Sequence, residues 1–188
     1  MIARFGSTEL IAIINYLGVI NPNHSIIKFI KGEQPEWWWN ENVMDQMQRW
    51  SGFFPPTPDN MMRFGKMMIE DAKEVNILGS WINGEQYVSD YTQGTVKVHL
   101  RLLEPFWSKN PWTRVLKGKK VLVVHPFAKT IESQYREIRM NIFSNLDILP
   151  EFELNTIQAV QSLGGGVNGF ADWFEALQWM EDEIDKLL

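Results

Sequence analysis

The chain has no cysteine in its 188 residues. That excludes disulfide frameworks, thiolate nucleophiles and Cys-ligated zinc or iron–sulfur centres, and it suits a reducing compartment. No apolar run reaches the roughly 18 to 20 residues that a membrane-spanning helix needs. Nor does the chain open with a basic segment, an apolar run and a small-residue cleavage site. A soluble, cytoplasmic protein with no membrane span is therefore expected. Positive charge is short as well: 18 Lys and Arg against 23 Asp and Glu leave a net charge of −5. A broad electrostatic footprint for nucleic acid is not expected from such a balance. The three histidines, His24, His99 and His125, include no pair at metal-ligand spacing. Internal repeats and low-complexity tracts are missing too.

What is present is ordinary globular composition, 45% hydrophobic and 22% charged. A chain of this length can bury roughly 70% of its unfolded surface, enough for a core without staples. The anomaly is nine tryptophans, three of them adjacent at Trp37, Trp38 and Trp39. Such a run suits a sugar's C–H face, an interface, or simple packing.

Periodicity orders the chain as follows. Met1–Phe5 reads as a strand end, Gly6 as a turn, and Ser7 and Thr8 as helix-start residues. From Leu10 to Ile20 apolar residues run nearly all round (Ile11, Ile13, Ile14, Leu17), predicting a helix buried on most sides. Short helices follow at about Ser25 to Lys31 and Glu41 to Trp50. Pro55, Pro56 and Pro58 mark a turn into a helix whose stripe is Met61, Phe64, Met68, Ala72 and Val75. Residues 21–75 thus read as a Trp- and Met-rich helical insertion. Strands are expected at Ile77–Ile82, ending on Trp81 and Ile82, and at Val96–Leu103, where Val96, Val98, Leu100 and Leu102 alternate.

Val121–Val124, with a basic lead-in, predicts a parallel strand covered on both faces. The next helix carries Ile131, Tyr135, Ile138 and Ile142 on one stripe. Phe152–Val160 reads as a strand, Leu163–Gly166 as a glycine-rich loop, and Phe170–Leu187 as a helix. That last helix should bury Phe170, Trp173, Phe174, Leu177, Ile184 and Leu187, with a solvated acidic face. Strands alternating with helices imply an α/β fold with an open, mostly parallel, Rossmann-like sheet and flanking helices.

Two junctions have the chemistry of a ligand site. At Arg4-Phe5-Gly6-Ser7-Thr8-Glu9, a glycine lets a ligand approach the backbone, and free amides at a helix start favour phosphate. Arg4 adds a guanidinium fork matched to phosphate oxygens. Glu9 suits a divalent metal or a sugar hydroxyl proton, or else its own helix dipole. At His125-Pro126-Phe127 an imidazole stands at a strand's carboxyl end, where open α/β sheets take ligands, or else it closes the strand as a structural residue. Lys129 and Thr130 follow it at the next helix start. Glu104, before Pro105, is expected to end a strand, either reaching the same crevice or standing as a rim carboxylate. Glu151 and Glu153 read as a solvated pair.

Those elements, with Leu103-Glu104-Pro105, Asn110-Pro111-Trp112, Val121–Phe127, Gln134-Tyr135 and Leu149–Leu154, resemble the bacterial GT-D-type glycosyltransferases. The resemblance spans most of the chain and is strongest from about residue 98 to 187. It implies one GT-D-like domain over residues 1–188. Family members usually continue into further strands, so the resemblance also implies incompleteness at the C-terminus. The activity implied is sugar transfer from a nucleotide-sugar donor such as UDP-glucose to a glycan or glycoprotein acceptor, with a divalent metal (Mn²⁺ or Mg²⁺). The family's Asp-X-Glu metal motif falls on Ser7 and Glu9, so Glu9 inherits the catalytic and metal role. Arg4, Gly6, Ser7, Thr8, Glu104, His125, Lys129 and Thr130, read from position and chemistry, are the candidate substrate-binding residues. Ser7 in place of the acid keeps a second class open: a non-catalytic nucleotide-sugar or carbohydrate-binding protein, or a scaffold subunit of a glycan-assembly complex. A homo-oligomer is compatible with either.

Overall fold

Ile77, Leu78 and Gly79 form the middle of a three-stranded sheet built from the first hundred residues. Its strands are β1 (Ile2–Ala3), β2 (Ile77–Ser80) and β3 (Val96–His99), in the order β1-β2-β3 and all parallel. The register pairs Ile2 with Ile77 and Ser80 with His99. The carboxyl ends of all three strands therefore share one edge. The computed structural model describes residues 1–161 and 169–187, so the expected Leu163–Gly166 loop lies outside the described residues. These residues fall into two units, 1–100 and 101–161 with 169–187.

Four helices cover the first unit. Gly6 leads into α1 (Ser7–Ile20), and Ser25 caps α2 (Ile26–Ile30) by accepting from the Lys28 amide. Asn40 caps α3 (Glu41–Ser51) through the Asn42 and Val43 amides. Thr57 caps α4 (Pro58–Lys73), where Pro58 sits in the first turn and needs no partner for its nitrogen. α3 and α4 pack on α1, so the segment read as an insertion builds much of this unit's core. Leu10, Ile13, Met47, Phe53, Met61, Leu78 and Val88 are all fully buried. Each contributes about 1.5 to 3 kcal/mol through burial. Asn15, also buried, ties α1 to the tryptophan run: its side-chain amide donates to Trp38 O (2.8 Å) and accepts from Asn40 N (3.1 Å).

The second unit has β4 (Lys120–His125) parallel to β5 (Glu153–Gln158), with α5 (Ala128–Ile142) packed on both and α6 (Trp173–Asp185) later in the chain. Tyr135 clamps α5 to the β5 lead-in. Its hydroxyl accepts from Phe152 N at 2.7 Å, and its ring stacks on Phe152 at 4.6 Å. The expected α/β class with parallel strands in open sheets is what the chain forms, with the strands shared between two small sheets.

Several elements differ from expectation, each for a local reason. β2 stops at Ser80 rather than Ile82 because the Glu85 carboxylate captures the Trp81 and Ile82 amides (3.0 and 3.2 Å). Trp81 is left half exposed, with its indole N–H on Phe5 O at 3.0 Å. A 3₁₀ segment, Asn83–Tyr91, follows where no element was foreseen. β3 ends at His99, not Leu103, because β2 offers no backbone beyond Ser80. Leu100–Leu103 instead closes into a 3₁₀ turn, and Leu102 is exposed. β4 is not covered on both faces: it pairs with β5 alone among the described residues, and Val124 is 39% exposed. Ile138 and Ile142 of α5, Leu187 after α6, and Ile11 and Ile20 of α1 all face solvent.

Candidate functional site

The carboxyl edge of β1–β2–β3 gathers the first group of candidate residues. Arg4 leaves β1 exposed, and its guanidinium donates weakly to Phe5 O at 3.4 Å. Gly6 is the residue before α1 and provides no side-chain cap. Ser7 is exposed, while Thr8 and Glu9 are half buried. The Glu9 carboxylate folds back over Gly6, so closely that a Cβ on Gly6 would collide with its Oε2. A carboxylate there is stabilised by the dipole and open amides of its own helix start.

Sequence reasoning missed Glu85. It is 4% exposed and accepts from the Ser80 hydroxyl as well as from the Trp81 and Ile82 amides. Three donors converging on a buried carboxylate fix the turn after β2, and with it the indole that holds Phe5 O. The available signal was an acid shortly after a strand in a polar, glycine-containing segment, which reads more simply as a solvated turn.

The second group lies in the other unit. His125 ends β4 exposed, and its Nδ1 accepts from Phe127 N at 3.0 Å. That bond needs the Nδ1 lone pair, so the neutral ring carries its proton on Nε2. Phe127 precedes α5 with no side-chain cap, and Lys129 and Thr130 are exposed in the first turn. Glu104 does not end a strand as expected. It precedes the 3₁₀ turn Pro105–Trp107 and accepts from the Trp107 indole at 2.5 Å, because the chain has already left β3 at His99. Trp112 of the Asn-Pro-Trp element is half exposed and donates to Leu103 O at 2.9 Å. Glu151 is 82% exposed, with Arg139 at 3.7 Å.

The tryptophan run packs on itself and its neighbours. Trp37 stacks on His24 at 5.3 Å, meets Trp38 edge-on at 5.2 Å, and Phe29 approaches both rings edge-on. Such contacts hold α2 to the segment before α3.

A divalent ion of the Mn²⁺ or Mg²⁺ kind takes carboxylates together with phosphate oxygens. Glu9 is the lone acid on the Arg4–Glu9 segment, and it is folded against Gly6. No cluster of three His, Cys, Asp or Glu occurs among the described residues. A single carboxylate folded against its own helix start is a poor fit to such an ion. No helix among the described residues is long and apolar enough to cross a membrane. Comparison with known protein families, characterised proteins and solved structures returns no match to this chain.

Proposed function

We propose that the chain binds a nucleotide-sugar donor of the UDP-glucose kind and acts as a glycosyltransferase toward a glycan or glycoprotein acceptor. One observation carries the reading. Ser25, Asn40, Thr57 and Asp172 cap α2, α3, α4 and α6, whereas α1 and α5 start without any side-chain cap. These two uncapped starts are the ones that directly follow the carboxyl ends of parallel strands, where open α/β sheets take ligands. Amides left uncapped by side chains at such a place suit an anionic ligand.

On this reading the β1–α1 junction is the first turn of a Rossmann-like unit. Arg4 and the Ser7 and Thr8 amides hold the diphosphate and stabilise charge on the leaving group. Glu9 swings from Gly6 to accept the acceptor hydroxyl proton. The second unit, taken by itself, offers a separate anion contact at the start of α5, with Lys129 and Thr130 in its first turn and His125 as a hydrogen-bond donor through Nε2–H. Glu104, held by Trp107, has a lesser role as a hydroxyl acceptor.

Calorimetric titration with UDP and UDP-glucose, with and without Mn²⁺, tests the binding step. Arg4→Ala should weaken UDP binding by about tenfold, as loss of one charge-assisted contact does. Undiminished affinity in that variant removes the proposed site. Release of UDP from UDP-glucose in the presence of acceptor tests transfer. The folded-back Glu9 favours the second reading, a non-catalytic nucleotide-sugar or carbohydrate-binding protein, because it leaves the carboxylate serving its own helix. Glu9→Gln separates the two: lost turnover supports the transferase, whereas tighter UDP binding without any turnover supports the binding protein.

A further inference from the structure

A groove of about 340 Å³ lies at the far end of α1, some 20 Å by helix rise from Gly6. It is within the size range of small-ligand sites. Its rings are Tyr87 and Tyr91, both half buried, on the 3₁₀ segment that follows β2. Tyr87 donates its hydroxyl to Gly32 O at 2.8 Å, which locks the ring in place. Asp90 stands three residues on, and in a 3₁₀ helix that spacing puts it on the same face as Tyr87. Across the groove, Asn21 follows α1. Its Oδ1 accepts from Asn23 N at 2.9 Å, which leaves the amide N–H₂ as its donor end. Leu17, Ile20 and Pro35 complete an apolar wall.

We propose that this groove binds a neutral pyranose, independently of the nucleotide-sugar reading above. A pyranose presents an apolar C–H face to an aromatic ring and hydroxyls that both donate and accept. The tyrosine rings take the first, the Asp90 carboxylate accepts from one hydroxyl, and the Asn21 amide donates to another. A quaternary ammonium would also meet two rings and a carboxylate. It gains nothing from an amide donor and is repelled by one, which decides for the sugar.

The test is amide NMR of the full chain with maltose and cellobiose as probes, beside tetramethylammonium. Expected are saturable shifts confined to residues 17–21 and 87–91, with Ser7–Glu9 unmoved. Asp90→Asn, at an exposed position, should fold normally and weaken saccharide binding about tenfold. Tyr91→Ala, checked for folding by circular dichroism, should abolish it. Silence with both saccharides overturns the proposal, as do shifts dispersed over the chain. Shifts with tetramethylammonium alone overturn it in favour of a cation site. UDP binding at α1 is read separately in the same spectra, so either site can fail without the other.

Discussion

The two units spend similar sequence on very different interiors. In the first, Leu10, Ile13, Met47, Phe53, Met61, Phe64, Leu78 and Val88 are buried around a sheet flanked by four helices. In the second, the buried apolar side chains among the described residues are Ala128, Ile157, Ala176, Pro111 and Pro150. Both units leave large apolar residues in solvent, Trp50 and Ile30 in the first and Trp107 and Phe127 in the second, so the contrast lies in what is buried. Hydrophobic stabilisation scales with area removed from water, so the first unit should hold most of the chain's stability. The second should open locally at lower free energy.

Substitutions can break that contrast, and the core of the first unit should respond most. Phe53→Ala empties a fully buried site packed on Phe64 at 5.3 Å and should cost about 3 to 5 kcal/mol in urea denaturation. Val123→Ala in half-buried β4 should cost less than about 1.5 kcal/mol. Equal losses would erase the contrast. Next comes Gly18→Ala. Helix propensity alone predicts a gain of about 1 kcal/mol. In α1, however, the new methyl would meet the Glu36 carbonyl oxygen, so a net loss of about 2 kcal/mol is expected. A raised melting temperature would mean that the loop before α3 gives way easily. Asn15→Ala should cost a similar amount, about 2 kcal/mol, by leaving the Asn40 amide and the Trp38 carbonyl without their partner.

A smaller expected effect is pH-dependent. Burial, then the neighbouring charges of Tyr91 and Glu70, push the Tyr16 phenol above its ordinary 10.0. The folded form then holds the proton after the unfolded chain has lost it. Stability of the first unit should therefore be complete below pH 10 and decline above it. Tyr16→Phe should flatten that decline in thermal melts at pH 10 to 11. In the second unit, breaking the surface pair Arg136–Glu132 (2.6 Å) should change stability by less than about 0.5 kcal/mol.

Helices were legible where local chemistry decides them. Ser25, Pro58 and the Met61–Val75 stripe each mark an element that forms close to the expected bounds. Strands were less so, because their ends depend on neighbours distant in sequence. Leu100 and Leu102 alternate like a strand but find no strand to pair with among the described residues. Val121–Val124 is apolar enough for a covered strand yet has one neighbour among the described residues. The Arg4–Glu9 junction was readable from its glycine and charges. That Glu9 turns inward over Gly6 depends on a side-chain torsion, and Glu85 needed a fold to bring Ser80 and Trp81 to it.

The pairing of residues 2–3 with 77–78 has a consequence in time. On the ribosome, β1 emerges ahead of its partner and cannot join β2 until more than seventy further residues are made. The central strand then needs β3, at 96–99, on its other side. Making such a span takes on the order of seconds, far longer than a helix needs to form, so the helices between can form while β1 waits. The first unit is therefore expected to acquire its helices early and its sheet in one late step. Until that step, the Arg4 junction has no strand edge to belong to.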